Sequence, residues 1–184
     1  KRLENLRLVT QLDVKIEPPV PSLFTFNVAH STIVELPGVS VPNAVVQVQG
    51  TKLKEEGPLL ITHWGFSGPA VLKLSAFGAR LLADKNYQFA FKVNWLGNVN
   101  EEEARAQLQN YIAENGKKLA NKRPFDVPAR LWDWILTQSG IVPDTTWNAV
   151  DKKSKNKLLN ALINSEFQVK QKTTFKEEFV ICGG

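Results

Sequence analysis

Tyr87, Phe89, Phe91, Val93 and Trp95 alternate with Gln88, Ala90, Lys92 and Asn94, a period of two that predicts a half-buried strand over 87–95. Phe24, Phe26 and Val28 alternate in the same way with Thr25 and Asn27, and Val45 to Val48 read as a further strand ending near Gly50. Past Trp95 the period lengthens to nearly four. Asn100 followed by Glu103 reads as a variant helix-starting box, with Ala104, Leu108, Tyr111 and Ile112 on one apolar face. Pro128 opens a second helix with Leu131, Trp132, Ile135 and Leu136 as its stripe and Gly140 at its exit. After a turn-rich connector from Ile141 to Trp147, a third helix from about Asp151 to Asn164 turns Leu158, Leu159, Leu162 and Ile163 inward. Phe167 and Val169 return to strand spacing toward Phe175, and Phe179 to Cys182 is a last apolar strand. Near the start, Leu3 to Leu12 reads as the tail of a helix, and the Pro18–Pro21 run forces an extended backbone. The pattern predicts an α+β protein: a β-barrel-like antiparallel part with an inserted subdomain of three to four helices.

One junction combines all these signals. In Gly57-Pro-Leu-Leu-Ile-Thr-His-Trp-Gly-Phe-Ser-Gly-Pro69, the short run Leu59, Leu60, Ile61 reads as a buried strand. A glycine-punctuated turn follows, then a helix from Ala70 to Leu82 interrupted or ended around Gly78. Ser67 is expected to cap that helix, with Pro69 in its first turn. Thr62, His63 and Ser67 then surround a point at which free backbone N–H groups converge, a place for an anion, a carbonyl oxygen or a cofactor edge. The plain alternative is a structural turn, with His63 hydrogen-bonded inside it.

Composition narrows the classes. The 184 residues, 43% hydrophobic, suffice for one compact domain or two small ones sharing an interface. No apolar stretch is long enough to span a bilayer, and no basic-then-apolar leader is visible. The single cysteine, Cys182, excludes an internal disulfide and fits a reducing, cytoplasmic compartment. The net charge of +5 comes from 23 basic and 18 acidic residues spread along the chain, a weak nucleic-acid signal. Its densest basic run is Lys152, Lys153, Lys155 and Lys157, with Trp147 just upstream; the plain reading is a solvated helix face.

Catalytic arrangements fail one by one. A zinc site would have to gather His30, His63 and Cys182 from distant segments, so no metal is expected. Gly65-Phe-Ser-Gly68 lacks the spacing of a nucleophile elbow. Cys182 has no adjacent base, and Glu101, Glu102 and Glu103 serve a helix start. No catalytic residue is assigned.

The junction resembles a family signature. GPLLITHWGFSGPAVLKLS is similar to the "G-P-L-L-F-T-H-F-G-L-S-G-P" stretch of the BaiN/RdsA or aminoacetone-oxidase-like (YhiN-like) FAD-dependent oxidoreductases of bacteria. Pro18-Pro-Val-Pro-Ser-Leu23 resembles that family's entry to an insert, and Phe179-Val-Ile-Cys-Gly-Gly184 its return strand and double glycine. The resemblance spans nearly the whole chain and departs from the family at Trp64, Phe66 and Cys182. It implies that this chain is the insert of a larger flavoprotein. On that basis 1–22 is a lead-in from a flavin domain, 23–97 with 165–178 a barrel-like part, 98–164 a helical subdomain, and 179–184 the return. No G-x-G-x-x-G occurs in the sequence, and both ends read as cut ends of a longer chain, so the dinucleotide cradle is expected elsewhere in the parent.

The expected function is thus the substrate-side or lid insert of an FAD-dependent oxidoreductase, with NAD(P)H as a possible reductant, inactive alone and binding no cofactor itself. Its expected partner is the flavin-binding domain of its own parent. Thr62, His63, Trp64, Gly65, Ser67, Gly68, Gly183 and Gly184 are the expected site-shaping residues. The alternatives are a nucleic-acid-binding module, with 140–162 acting as a helix–two-turn–helix element, and a domain serving only protein contacts. Nucleic acid ranks below the flavin reading, and substrate and oligomeric state stay open.

Overall fold

A computed structural model describes residues 17–28, 30–172 and 180–182. The helix tail expected at Leu3 to Leu12, the strand continuation to Phe175, and Gly183 and Gly184 lie outside the described residues.

The chain begins with β1 (Val20–Ser22) and β2 (Phe26–Asn27), then a 3₁₀ turn over Thr32–Glu35. β3 (Ser40–Val48) and β4 (Lys54–Thr62) follow as the two longest strands, joined through a turn in which Gly50 has φ +70°. β5 (Gly65–Ser67) leads into α1 (Pro69–Phe77) and α2 (Ala79–Asp84), and β6 (Phe89–Asn94) returns to the sheet. Three helices come next, α3 (Glu101–Asn115), α4 (Ala129–Ser139) and α5 (Lys152–Ile163). β7 (Ser165–Val169), β8 (Gln171–Lys172) and β9 (Val180–Cys182) complete the described elements.

The main sheet is antiparallel, in the order β7-β6-β3-β4-β5-β2-β8. β7 and β8 sit at its two edges although only Lys170 separates them, so the chain itself bridges the gap. Counted as one bent strand they make a nearly closed six-stranded barrel, which leaves little unpaired edge. A register shift between Val41 and Ala44 bends β3 to meet this curvature.

Alternation puts the aromatic residues inside. Phe89, Phe91 and Val93 of β6 are buried while Ala90, Lys92 and Asn94 are half-buried. Within the barrel, Phe66 lies against Phe167 with ring centroids 4.7 Å apart and against Phe91 at 5.5 Å, and Phe26 meets Phe91 at 5.1 Å. These edge-to-face contacts are the favoured geometry for aromatic rings. Trp95 is buried beyond the end of β6, and its indole nitrogen donates to Ser165 Oγ at 2.9 Å. Its backbone N–H donates to Leu162 O, tying the barrel to α5, and one continuous apolar core runs through both regions.

Local rules account for the helix ends. Asn100 Oδ1 accepts from Glu103 N and Glu103 Oε2 from Asn100 N, both at 2.9 Å, completing the expected capping box. Pro128 precedes α4, and Gly140 ends it in the left-handed conformation at φ +72°. Gly78 separates α1 from α2, as anticipated.

The strands differ from expectation in two places. Asn86 and Tyr87 have left-handed φ values of 51° and 58°, so Tyr87 belongs to a turn and the strand begins at Phe89. The run Leu59–Ile61 is the end of a nine-residue strand in which Leu59 and Ile61 are buried and Leu60 is only half-buried.

Candidate functional site

The signature junction folds as a hairpin before it becomes a helix. Thr62 and Gly65 pair across a two-residue turn, Ile61 opposes Phe66, and Leu60 opposes Ser67. Thr62 Oγ1 accepts from Gly65 N at 3.2 Å and donates to Gly65 O at 3.1 Å, and Trp64 O accepts from Val28 N at 2.8 Å. The Gly65 N–H of the turn is therefore used within the hairpin, and the Trp64 carbonyl ties the hairpin to Val28. His63 is exposed at the tip and Trp64 is half-buried behind it.

Ser67 does not cap the helix. It sits in β5, and Gly68 occupies the cap position at φ +97° with no side-chain cap bond. The reason is space: a Cβ on Gly68 would lie 2.8 Å from Pro58 O, and one on Gly65 would overlap Phe26 O. The two glycines let β5 lie flush between β2 and β4, and pairing then takes Ser67 out of reach of the helix end. Of the expected site residues, the structure brings Thr62, His63, Trp64, Gly65, Ser67 and Gly68 together as a hairpin and helix entry.

The second expected feature is basic. α4 and α5 are joined by the left-handed Gly140, a turn closed by Thr145 N donating to Val142 O at 3.0 Å, and a 3₁₀ turn at Trp147–Ala149, so the helix–two-turn–helix arrangement begins at Ala129, and the expected range 140–162 holds its two turns and second helix but not its first. Lys152, Lys153 and Lys157 are exposed and Lys155 is half-buried, and among the described residues none of the four is ion-paired. They lie in the N-terminal half of α5, where the helix dipole repels cations. Asp151 caps this helix, accepting from Ser154 N at 2.9 Å and Ser154 Oγ at 2.7 Å, and these hydrogen bonds hold its carboxyl below the ordinary value. Trp147 is fully buried, its rings 6.4 Å from Tyr111 and 6.3 Å from Trp132, and so offers no exposed ring face beside the lysines.

Between α3 and α5 lies a groove of about 470 Å³ that periodicity does not reveal. Leu108 and Leu159 are its buried floor, and Arg105, Lys152 and Lys155 are its cationic rim. Its two walls come from separate helices, whose nearest lining residues are Ala113 and Lys152, so local spacing carries no sign of it. Elsewhere, among the described residues, no three His, Cys, Asp or Glu side chains are placed to hold a metal, and no helix is long and apolar enough to cross a membrane.

Residues 20–180 match the family described as HI0933-like protein barrel and H2TH domain, and the chain belongs to that family. Two similar proteins are named ribosomal RNA dihydrouridine synthase. The one from Escherichia coli (strain K12) is 27% identical over 97% of this chain, and the one from Haemophilus influenzae is 26% identical over 97%. Both are larger: the chain spans 42% of the length of each.

Proposed function

We propose that this chain is the substrate-side insert of a flavin-dependent enzyme that makes dihydrouridine in ribosomal RNA. The observation that carries the reading is the similarity along 97% of this chain to two such synthases of which it spans 42%. The fold supports it: β1 pairs with β9, Val20 opposite Cys182, so the two connections of the barrel run side by side as a neck through which an insert joins its host. On this reading 1–22 leads in from the flavin domain, 179–184 returns to it, and the work is cytoplasmic, where ribosomal RNA is met.

FAD bound by the parent would supply the reducing equivalents for the uracil double bond, with NAD(P)H as the reductant. This chain has no glycine-rich dinucleotide turn, so its own residues do not fit the cofactor and no step is assigned to them. Its part is enclosure and orientation, with His63 and Trp64 at the hairpin tip as the contribution to the wall of the site. Phe77, 75% exposed, and Leu81, 38% exposed, lie on α1 and α2, helices that pack against β1 of the neck. We assign this apolar face to the flavin domain of the same parent.

On this reading RNA, which ranked second from the sequence, is the partner of the helical region, and the lysines of α5, which make no ion pair among the described residues, are the local support. Phosphate attraction compensates for cations that the helix dipole disfavours. The test is expression of the full-length gene product. A yellow protein with a bound-flavin spectrum, reduced by NADH or NADPH, and loss of one ribosomal dihydrouridine on gene deletion are expected. A colourless full-length protein, or unchanged dihydrouridine in the deletion strain, sinks the reading.

A further inference from the structure

We propose that the groove between α3 and α5 receives a single unpaired nucleotide of the RNA, with its base on the apolar floor and its phosphates on the rim. This rests on the reading of the chain as part of an RNA-modifying enzyme, and it names a contact apart from the reacting uridine.

The groove's volume of about 470 Å³ lies within the range of small-molecule sites. Its floor, Leu108 and Leu159 with half-buried Ile112, offers an apolar surface to one face of a base. Lys152 and Lys155 stand on the α5 side with no ion pair among the described residues. Arg105 is held in place by Glu101 Oε1 at 2.7 Å and Asn156 Oδ1 at 2.8 Å, which partly neutralises it and leaves the two lysines as the uncompensated charge. Gln109 is exposed and makes no hydrogen bond among the described residues, so both its amide donor and its carbonyl are free. A side-chain amide offers a donor and an acceptor side by side, matching the edge of an unpaired base.

These features together select the ligand. A duplex would use the lysines and leave the floor dry and empty, because its bases are stacked and its A-form major groove is closed to side chains. An acidic amphipathic helix would use the floor and the lysines, but its backbone amides are already spent within the helix. An extruded nucleotide uses apolar floor, amide and cations at once.

The test compares binding of a uridine-rich single strand of about 12 nucleotides and a blunt RNA duplex across a salt series. Ala113→Leu, on an exposed helix position lining the groove, narrows it without removing charge or adding a ring on which a base could stack. It is expected to weaken single-strand binding about tenfold with the salt slope unchanged and to spare the duplex. Gln109→Ala should act in the same direction with no change of volume. Lys152→Ala with Lys155→Ala should weaken both ligands and reduce the single-strand slope by about 1.4, two phosphates' worth. With 4-thiouridine in the strand, photocrosslinks should map to the α3 segment containing Gln109 and Ile112. If the lysine variants weaken binding while Ala113→Leu and Gln109→Ala do not, the groove is no nucleotide site although the RNA reading stands. If an acidic peptide displaces the strand from the groove and binds more tightly, the occupant is a protein. If neither RNA shows salt-dependent binding, the RNA reading fails with it.

Discussion

Gly65 and Gly140 show how differently two glycines of one chain are constrained. Both have positive φ, +150° and +72°, but a Cβ on Gly140 meets nothing within 4 Å, whereas on Gly65 it would overlap the Phe26 carbonyl across the β2–β5 pair. Gly65→Ala is therefore expected to destabilise the protein by about 1–3 kcal/mol or more, because strain and overlap add. Gly140→Asn keeps a residue that tolerates the left-handed conformation and should stay within about 1 kcal/mol of the parent. Urea unfolding of the two variants decides the matter, and equal losses would show that the close packing at Gly65 is unimportant. The sequence marked both positions as turns. It could not distinguish them, because the obstacle at Gly65 is supplied by a strand almost forty residues earlier. Ser67 illustrates the same limit: its place before a proline reads as a cap, and strand pairing with Leu60 overrides that.

At the level of elements, α5 combines a favourable cap with unfavourable charges. Asp151, accepting two hydrogen bonds from Ser154, is shifted below its ordinary 3.8. A carboxyl lowered in the folded state stabilises the fold at pH above the ordinary value, and that contribution disappears as pH falls through the folded value. The carboxyl carbon of Asp151 should accordingly titrate below 3.8 by NMR, with protection of the first turn of α5 declining in the same acid range and not at neutral pH. A midpoint at or above 3.8 would contradict the cap geometry. The capping box of α3, the apolar stripes of α3 to α5 and the alternation of β6 were all legible, since each depends on neighbours within a turn or a strand. The hairpin β4–β5 was not: its two-residue turn lies inside a segment whose later residues carry helix signals.

For the whole molecule, the neck and the apolar face beside it make a distinction between surface and interface testable. In the isolated chain Phe77 is 75% exposed, so Phe77→Asp should change its stability by no more than about 0.5 kcal/mol. In the full-length protein the same change should lower the melting temperature and loosen the flavin, because a carboxylate would then be buried against the host domain. Equal behaviour in both contexts would place the host domain elsewhere. Local periodicity and turn chemistry by themselves determined that this chain is α+β, where α3, α4 and α5 start, and which side of β6 is buried, since those preferences act between residues close in sequence. Tertiary structure alone decided that β7 and β8 close the barrel from opposite edges, that Gly65 and Gly68 exist for the passage of neighbouring backbone, that Trp147 is core, and that α3 and α5 enclose a cation-rimmed groove. Each of these requires residues distant along the chain to meet, and the free energy of such meetings resides in packing and pairing, which no local pattern encodes.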